Sequence, residues 1–280
     1  MFTNQDIAEY FDTTLDHYRW WWKMDKLLSL HYGIWDAGTK SFSESLINTN
    51  RVLMEISGIS GTDRVLDAGC GIGGTAFFIN DQKQAEVIGI SLSQKQIDLA
   101  NEFVLKNNLA DKLSFKVMDF KKTDFADDSF DVVWACESVC QTTDKESFMK
   151  ECYRILRKGG RLILSDYFLT KSGQEDKKHL IKKWCNTWAM SNLNSLDFFT
   201  DALKCHEFIS IKVFDYTGKI MRSSRRMMYS SLIGALPSEL YNLFNPSVSK
   251  FARAHYRSGF YQYRALKEDL WKYVIIFAIK

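Results

Sequence analysis

The stretch Arg64-Val65-Leu66-Asp67-Ala68-Gly69-Cys70-Gly71-Ile72-Gly73-Gly74 decides the fold of this chain. It predicts an apolar strand that ends near an acid and runs into a glycine-rich turn. A dinucleotide site presents such a turn to a pyrophosphate, and a carboxylate in the same turn would repel that charge. Asp67, set among the glycines, therefore favours a cationic ligand that the backbone approaches closely.

A second strand and helix follow this turn. Residues 87–90 are apolar, and Ser93 is placed to cap the helix that comes next. The first segment resembles the D-x-G-x-G-x-G motif of the class I S-adenosylmethionine-dependent methyltransferases. The second, G-x-x-x-S-x-x-Q ending at Gln96, resembles the branch that contains cyclopropane fatty-acid synthases, sterol C-methyltransferases and prenyl-diphosphate C-methyltransferases. Most of the superfamily has an acid where this chain has Ser91.

The resemblance implies a site for S-adenosylmethionine, with S-adenosylhomocysteine as product. Gln96 is expected to help hold the ribose, and Asp119 to accept a hydrogen bond from the adenine amino group. In the alternative interpretation, Ser91 only ends a strand and Asp119 only caps a turn. The residues expected at the cofactor are Asp67, Gly69, Cys70, Gly71, Ser91, Leu92, Gln96, Asp119, Phe120 and Cys136.

Strand and helix patterns alternate from about residue 50 onward, which predicts a mostly parallel sheet with helices on both faces. We predict strands at 64–67, 86–90, 113–117, 130–135, 161–166, 209–215 and 272–278. The fold class is thus α/β, a Rossmann-like seven-stranded sheet. The resemblance implies that the last strand runs antiparallel between two others.

Two further segments extend this core. Residues 1–50 are expected to form an N-terminal helical lid segment, and residues 51–280 the cofactor-binding domain. Before the last strand lies an insertion at about 216–271, which is too long for a simple connection and is expected to form a helical lid. Trp22 and Trp35 are expected to contact the acceptor, although core packing would also explain such aromatic residues.

Composition narrows the class of protein. The chain has 280 residues, 46% hydrophobic and 14% aromatic, which suits one large core with a lid. A net charge of only +3 argues against nucleic-acid binding. From residue 216 on, however, there are 11 Lys or Arg against 3 Asp or Glu, a balance of +8. Peripheral membrane contact through this basic insertion is possible.

The six cysteines contain no C-x-x-C pair, which indicates reduced thiols and no metal site. No run of about 18 apolar residues and no leader pattern is present, so we expect a cytoplasmic protein. The sequence is compatible with a monomer or a homodimer.

Catalytic candidates lie in two segments. Glu137 follows the strand at 130–135, at the sheet edge where α/β proteins place ligands; the alternative is a helix-capping acid. Many relatives have a histidine where this chain has Gln141, which cannot take a proton and is expected to contact the acceptor instead. His31 and Tyr32 belong to an H-x-G-x-W segment that resembles tocopherol and sterol methyltransferases. A lone histidine is also common as a packing group.

We therefore expect methyl transfer to a small, largely apolar acceptor: a sterol, an isoprenoid or a quinol-like molecule. One alternative is a prenyl-diphosphate C-methyltransferase in which Arg222, Arg225 and Arg226 bind the diphosphate, unless they only form a solvated basic face. Another is lipid methylation as in cyclopropane fatty-acid synthases. A non-enzymatic lipid-binding module that retains the cofactor fold is the alternative from a different class.

Overall fold

A computed structural model describes residues 2–22, 27–190 and 192–280 of the chain, and for residues 19–22 only the backbone. The side chain of Trp22, one of the predicted acceptor contacts, lies outside the described residues.

Seven strands form one sheet in the order β3-β2-β1-β4-β5-β7-β6. The last strand pairs antiparallel with both of its neighbours, and the pairs among the first five strands are parallel. The predicted seven-stranded Rossmann-like sheet is therefore confirmed. The strands are β1 (Arg64–Ala68), β2 (Glu86–Ser91), β3 (Leu113–Val117), β4 (Phe130–Cys136), β5 (Leu156–Leu169), β6 (Ile209–Asp215) and β7 (Trp271–Ile279).

Alternate side chains of the central strands fill two separate cores. Val65 and Val87 lie in the core on one face, whereas Leu66 and Ile88 lie in the core on the other. Burial on both faces explains why these strands are continuously apolar rather than alternating. The two cores hold the sheet rigid, so residues at its carboxyl edge have fixed positions.

β5 is longer than its prediction of 161–166. Its antiparallel pairing with β7 extends from Arg161 opposite Ile279 to Leu169 opposite Trp271. This register adds Tyr167 and two further residues to the strand and places Tyr167 opposite Tyr273. The difference matters for the site, because both tyrosines reach it.

Ten α-helices and one short 3-10 helix, Val139–Gln141, are present in the described part of the chain. Several of the α-helices begin at a side-chain cap: for example, Ser41 accepts from Glu44 N, Ser93 from Gln96 N, and Asp144 from Ser147 N. The predicted Ser93 cap is thus confirmed. The helices are α1 (Asn4–Trp22), α2 (Phe42–Ser57), α3 (Gly74–Lys83), α4 (Gln94–Lys106), α5 (Lys145–Ile155), α6 (Leu180–Thr187), α7 (Leu196–Cys205), α8 (Thr217–Phe244), α9 (Lys250–His255) and α10 (Ser258–Lys267).

The two ends of the chain meet above the sheet edge. α1 packs against α4 and α9, and α10 packs against α8 and α6. An ion pair of 2.8 Å joins Asp6 to Lys250, and the Ser249 hydroxyl donates to Thr13 Oγ1 at 3.1 Å. Because α8, α9 and α10 occupy the segment between β6 and β7, that segment is helical.

Bilayer crossing requires a long and continuously apolar helix. Within residues 2–22, 27–190 and 192–280, no helix meets both conditions.

Candidate active site

The glycine-rich turn after β1 is held between two neighbouring segments. The backbone N–H groups of Gly69 and Cys70 both donate to the Ile90 carbonyl at 2.9 Å. Gly69 has a φ of +94°, and a Cβ there would lie 2.3 Å from the Cβ of Ser138. Only glycine suits both this left-handed conformation and this close approach. Because no side chain projects from Gly69, a ligand can approach the backbone of the turn closely.

Asp67 lies at the base of this turn, with 2% of its surface exposed. Burial raises the pKa of its carboxyl group to about 7. Its Oδ2 atom has no hydrogen-bond partner among the described residues. A buried carboxylate oxygen in this state is costly. A cationic donor bound in the turn would remove that cost, so Asp67 fits a positively charged ligand group.

A second polar pair lies after β2. The Ser91 hydroxyl donates to Gln96 Oε1 at 2.7 Å. The other end of this amide, Gln96 Nε2, is buried and has no partner among the described residues. Gln96 therefore has a donor available for a ligand hydroxyl.

Asp119 follows β3 and has two roles in the structure. Its Oδ1 accepts from Lys121 N at 2.9 Å, which is the turn cap that the alternative interpretation describes. Its Oδ2 accepts from Asn4 Nδ2 at 2.7 Å, which ties α1 to the sheet edge. The adjacent Phe120 packs edge-on against Phe148, with ring centroids 5.2 Å apart.

One cavity brings these elements together. All ten residues predicted at the cofactor line it, and so do Glu137, His31 and Gln141. Aromatic side chains from α1, β5 and the segment after α6 form a large part of its wall: Tyr10, Phe11, Tyr18, Tyr167 and Trp188.

Glu137 is surrounded by hydrogen-bond donors. Its Oε1 accepts from the backbone N–H of Tyr32 at 2.6 Å and from the Tyr273 hydroxyl at 2.8 Å, and its Oε2 accepts from the Tyr167 hydroxyl. Burial raises the pKa of Glu137 to about 8, although the donors favour the ionised form. Its φ of +52° is uncommon for a residue with a side chain.

The capping alternative for Glu137 is wrong, because Asp144 caps α5 and the Glu137 carboxylate points to the tyrosines instead. A carboxyl group that titrates near neutral pH inside an aromatic cavity can accept a proton from a bound molecule.

The comparisons with known proteins agree with this geometry. A family model described as a methyltransferase domain matches residues 66–164. Geranyl diphosphate C-methyltransferase from Streptomyces coelicolor A3(2), solved in complex with Mg2+, geranyl diphosphate and S-adenosyl-L-homocysteine, has the same fold. The TM-score is 0.77 at 19% identity, covering 99% of this chain and 97% of that chain.

Residues 66–164 of this chain thus match the methyltransferase domain family, and the whole chain shares the fold of that enzyme.

Two proteins of known name are similar to this chain in sequence. 27-O-demethylrifamycin SV methyltransferase from Amycolatopsis mediterranei is 35% identical over 144 residues, which cover 51% of this chain and 53% of that protein. Chloroplastic tocopherol O-methyltransferase from Arabidopsis thaliana is 28% identical over 232 residues, which cover 76% of this chain and 66% of that protein. The chain thus spans between about half and two thirds of these relatives.

His31 and Tyr32 differ in their relation to the cavity. His31 lines it, and its Nδ1 lies 2.9 Å from the Tyr32 carbonyl. A carbonyl only accepts, so Nδ1 carries the proton. Burial lowers the pKa of His31, which favours the neutral ring, whereas the hydrogen bonds to the Tyr32 backbone and to Asn50 raise it. His31 is therefore held in the cavity wall between the Tyr32 backbone and Asn50.

The expectation that the Tyr32 side chain takes part in catalysis is not met. Its hydroxyl donates to Gln262 Oε1, and its side chain is not among the described residues that line the cavity. What Tyr32 supplies is its backbone N–H, which holds Glu137. Tyr32 is thus a positioning residue.

Gln141 lines the cavity beside Glu137. In the amide orientation that satisfies its neighbours, the side-chain nitrogen of Gln141 donates to the carbonyls of Trp188 and Ala189 at 3.3 and 3.0 Å. This fixes the segment that carries Trp188 in the cavity wall.

Four predicted substrate contacts lie elsewhere. Trp35 is half-buried beneath α8, where its Nε1 donates to Ser223 Oγ at 2.9 Å and the Arg222 guanidinium lies 5.3 Å from its ring. Arg225 and Arg226 are exposed on the same helix, and Arg226 lies 4.6 Å from the Phe42 ring. None of these side chains lines the cavity among the described residues, because α8 turns its other face toward the domain.

Several residues that contact Glu137 or Asp119 were missed from the sequence. Tyr167 and Tyr273 reach Glu137 from β5 and β7, and Asn4 reaches Asp119 from α1. The Asp166-Tyr167 pair at the end of a predicted strand was a usable signal for Tyr167, since ligands bind at that edge. Asn4 and Tyr273 carry no local signal.

Proposed function

We propose that the chain transfers a methyl group from S-adenosylmethionine to a small, largely apolar and neutral acceptor of the sterol, isoprenoid or quinol type. The observation that carries the proposal is that the ten cofactor residues and Glu137 share one cavity whose remaining wall is rich in aromatic rings. The relative named a tocopherol O-methyltransferase supports an apolar acceptor.

The cofactor would be held by residues whose buried polar atoms can form further hydrogen bonds. Asp67 and the turn through Gly69 and Gly71 would hold its cationic methionyl end, Gln96 its ribose and Asp119 its adenine. The Asp67 Oδ2 and Gln96 Nε2 atoms, which have no hydrogen-bond partner among the described residues, fit those polar groups. When bound, S-adenosylmethionine supplies an electrophilic methyl group on a sulfonium.

Glu137 would take the proton that an acceptor releases when it gains a methyl group. The O–H or C–H bond of the acceptor breaks, its proton binds Glu137 Oε, and the carboxylate becomes a carboxylic acid. Tyr167, Tyr273 and the Tyr32 N–H hold the carboxylate in place for this step. Burial favours the protonated product of the transfer, because it raises the pKa of Glu137 to about 8.

The aromatic wall would serve the reaction in a second way. Tyr167 and Trp188 are backed by Trp184, whose ring centroid lies 5.0 Å from that of Tyr167. Such a wall excludes water and holds an apolar acceptor close to the cofactor. Methyl transfer depends chiefly on this alignment, so few polar contacts to the acceptor are needed.

A neutral acceptor is favoured over a prenyl diphosphate. Lys121 is the single Lys or Arg among the described residues of the cavity wall, and its Nζ lies 3.5 Å from Asp119. A diphosphate carries several negative charges and needs several fixed donors. Retention of Asp67 and Glu137 with their surroundings argues against a module that only binds lipid.

The test is a transfer assay with methyl-labelled S-adenosylmethionine and a panel of acceptors: a sterol, a prenylated quinol, geranyl diphosphate and an unsaturated phospholipid. We expect label in the sterol or the quinol and none in geranyl diphosphate. Label confined to geranyl diphosphate or to the phospholipid would overturn the neutral acceptor. Tight cofactor binding with no transfer to any apolar molecule in a broader screen would overturn the enzymatic proposal.

A further inference from the structure

We propose that the outward face of α8 binds the surface of an anionic lipid bilayer. This inference goes beyond methyl transfer, since it concerns where the protein works and not the reaction in its cavity. It rests on the polarity of α8, on the position of its arginines and on the charges that a binding partner must supply.

The exposed face of α8 is unusually apolar. Of the fourteen large hydrophobic side chains exposed in the described part of the chain, eight lie on this helix, and four of them are at least 69% exposed. At about 100° per residue, seven of the eight fall within a sector about 120° wide. These seven, together called the apolar stripe, are Tyr229, Leu232, Ile233, Leu236, Leu240, Leu243 and Phe244.

The opposite face of α8 is mostly small and polar, although it is the buried one. Ser223, Ser224 and Ser231 lie there with Gly234, Ile220 and Met227 are the two core hydrophobic residues on it, and the helix contacts α10 closely. A Cβ added at Gly259 of α10 would lie 2.4 Å from the Met227 carbonyl. An ordinary surface helix buries its apolar side. In α8 the polarity is inverted, and close helix packing fixes it that way.

Three arginines continue the apolar stripe toward the start of the helix. Arg222, Arg225 and Arg226 fall in the same sector and are exposed. Trp35 and Phe42 lie under two of them, at 5.3 and 4.6 Å from the guanidinium groups of Arg222 and Arg226. One face of α8 thus presents cations at one end and about 22 Å of apolar side chains at the other.

A bilayer surface matches this face. The leucines would be buried among the lipid acyl chains, and tyrosines such as Tyr229 are common at the level of the headgroups. Anionic lipid phosphates would pair with the arginines. Because the cations lie at one end of the apolar stripe and not on an opposite face, the helix would lie in the interface with its arginine end at the headgroups and its apolar end deeper.

A second copy of the chain matches the face less well. Glu239 is the only acid on α8, and it already pairs with Arg257 at 2.5 Å. Antiparallel pairing over the full face would place arginines against apolar side chains, and parallel pairing would place them against arginines. Neither arrangement supplies counter-charges, and burying the charge of Arg222 or Arg225 against another copy without one is costly. The bilayer supplies them.

The experiment is co-sedimentation of the full chain with vesicles, without cofactor or acceptor. One set contains phosphatidylcholine alone, and the other contains about 30% phosphatidylglycerol. We expect the wild type to bind the anionic vesicles at least about tenfold more tightly than the neutral ones. Because no methyl acceptor is involved, the result is independent of the proposed reaction.

Two matched pairs of variants test the two halves of the face. Leu236→Asp is compared with Leu105→Asp on α4, where the leucines are 70% and 71% exposed. Arg222→Glu/Arg225→Glu is compared with Lys158→Glu/Lys171→Glu, which changes the net charge equally at other exposed sites. We expect each α8 variant to lose at least about tenfold in affinity for anionic vesicles, and each control to bind like wild type.

Each variant is first checked for unchanged circular dichroism and unchanged S-adenosylhomocysteine affinity, so that loss of vesicle binding is not loss of fold. Wild type that fails to sediment with anionic vesicles would overturn the proposal. So would Leu236→Asp binding as well as Leu105→Asp. A wild-type dimer in light scattering that Leu236→Asp splits, with no vesicle binding, would assign the face to a second copy instead.

Discussion

The two halves of the cavity are built in opposite ways. In the cofactor half, Asp67 and Gln96 hold buried polar atoms that have no partner in the described part of the chain. In the acceptor half, Glu137 already receives three hydrogen bonds, from Tyr32, Tyr167 and Tyr273. In the cofactor half, a ligand would supply the missing hydrogen-bond partners. In the acceptor half, the protein itself supplies the hydrogen bonds to Glu137.

This difference separates binding from reaction. Groups without partners gain the most when a ligand arrives, so the cofactor half should determine affinity. A carboxylate that the fold holds in one position gains little on binding, but it is ready when charge or a proton moves. Substitutions in the two halves should therefore affect different measured quantities.

Glu137→Gln should have the largest effect. The amide keeps the shape of the side chain but cannot take a proton, so turnover should fall at least about 100-fold. Affinity for S-adenosylmethionine should stay within about twofold, because Glu137 belongs to the acceptor half. Steady-state rates and calorimetry measure the two quantities.

Glu175→Gln, at an exposed glutamate, is the matched control and should change neither. If Glu137→Gln instead weakened cofactor binding as much as it slowed turnover, the two halves would not be separable.

Asp67→Ala should have the next largest effect, and on affinity. Loss of a charged hydrogen-bond partner costs about 1.5 to 3 kcal/mol, which is more than about tenfold in the dissociation constant. Asp111→Ala, at an exposed aspartate, is the control.

The effect of Asp67 should also depend on pH. The pKa of about 7 means that the free carboxyl group is largely protonated at lower pH and must lose its proton before it can bind a cation. The advantage of wild type over Asp67→Ala should therefore be larger at pH 8 than at pH 6. Calorimetry that gives equal ratios at both values would contradict the assignment of Asp67 to the cationic end.

Tyr273→Phe should have a smaller effect that appears mainly in the pH profile. The phenylalanine keeps the ring but removes a donor that favours ionised Glu137, so the pKa of Glu137 should rise. Turnover that depends on the carboxylate should then reach half of its maximum about 1 pH unit higher. Tyr241→Phe, at an exposed tyrosine, is the control. A lower turnover with an unmoved profile would mean that Tyr273 acts by packing alone.

The cofactor half could be predicted because each of its parts is local. Asp67, Ser91, Asp119 and Cys136 all lie at or just after the carboxyl end of one of the first four strands. Parallel strands bring those ends to one edge, so a correct strand prediction is enough to place the residues together.

The acceptor half could not be predicted in this way. Tyr167 and Tyr273 meet Glu137 because β7 runs antiparallel to β5 in a register that places the two tyrosines opposite each other. Tyr32 and Gln262 are 230 positions apart and meet only through the packing of α10. The strand pattern does not reveal the register between distant segments, and a slip of β7 by one residue would turn Tyr273 to the other face of the sheet, away from Tyr167.

The apolar stripe of α8 also escaped prediction. Its leucines look like core residues in sequence, and only the packing of the Ser231 side against α10 shows that they face outward. The same packing explains why the arginines beside them do not reach the cavity.

Arg225→Ala/Arg226→Ala should have the smallest effect, close to none, on binding and turnover in the absence of vesicles. Both side chains are exposed on α8, where a charge contributes under about 1 kcal/mol and is screened at about 0.15 M salt. The cofactor dissociation constant and the Michaelis constant for a dispersed neutral acceptor should stay within about twofold of wild type. The informative comparison is the binding affinity for geranyl diphosphate at low salt. A steep loss of that affinity in the double variant would show that the arginines hold an anionic head group, which would require α8 to move toward the cavity and would extend the acceptor half beyond the aromatic wall around Glu137.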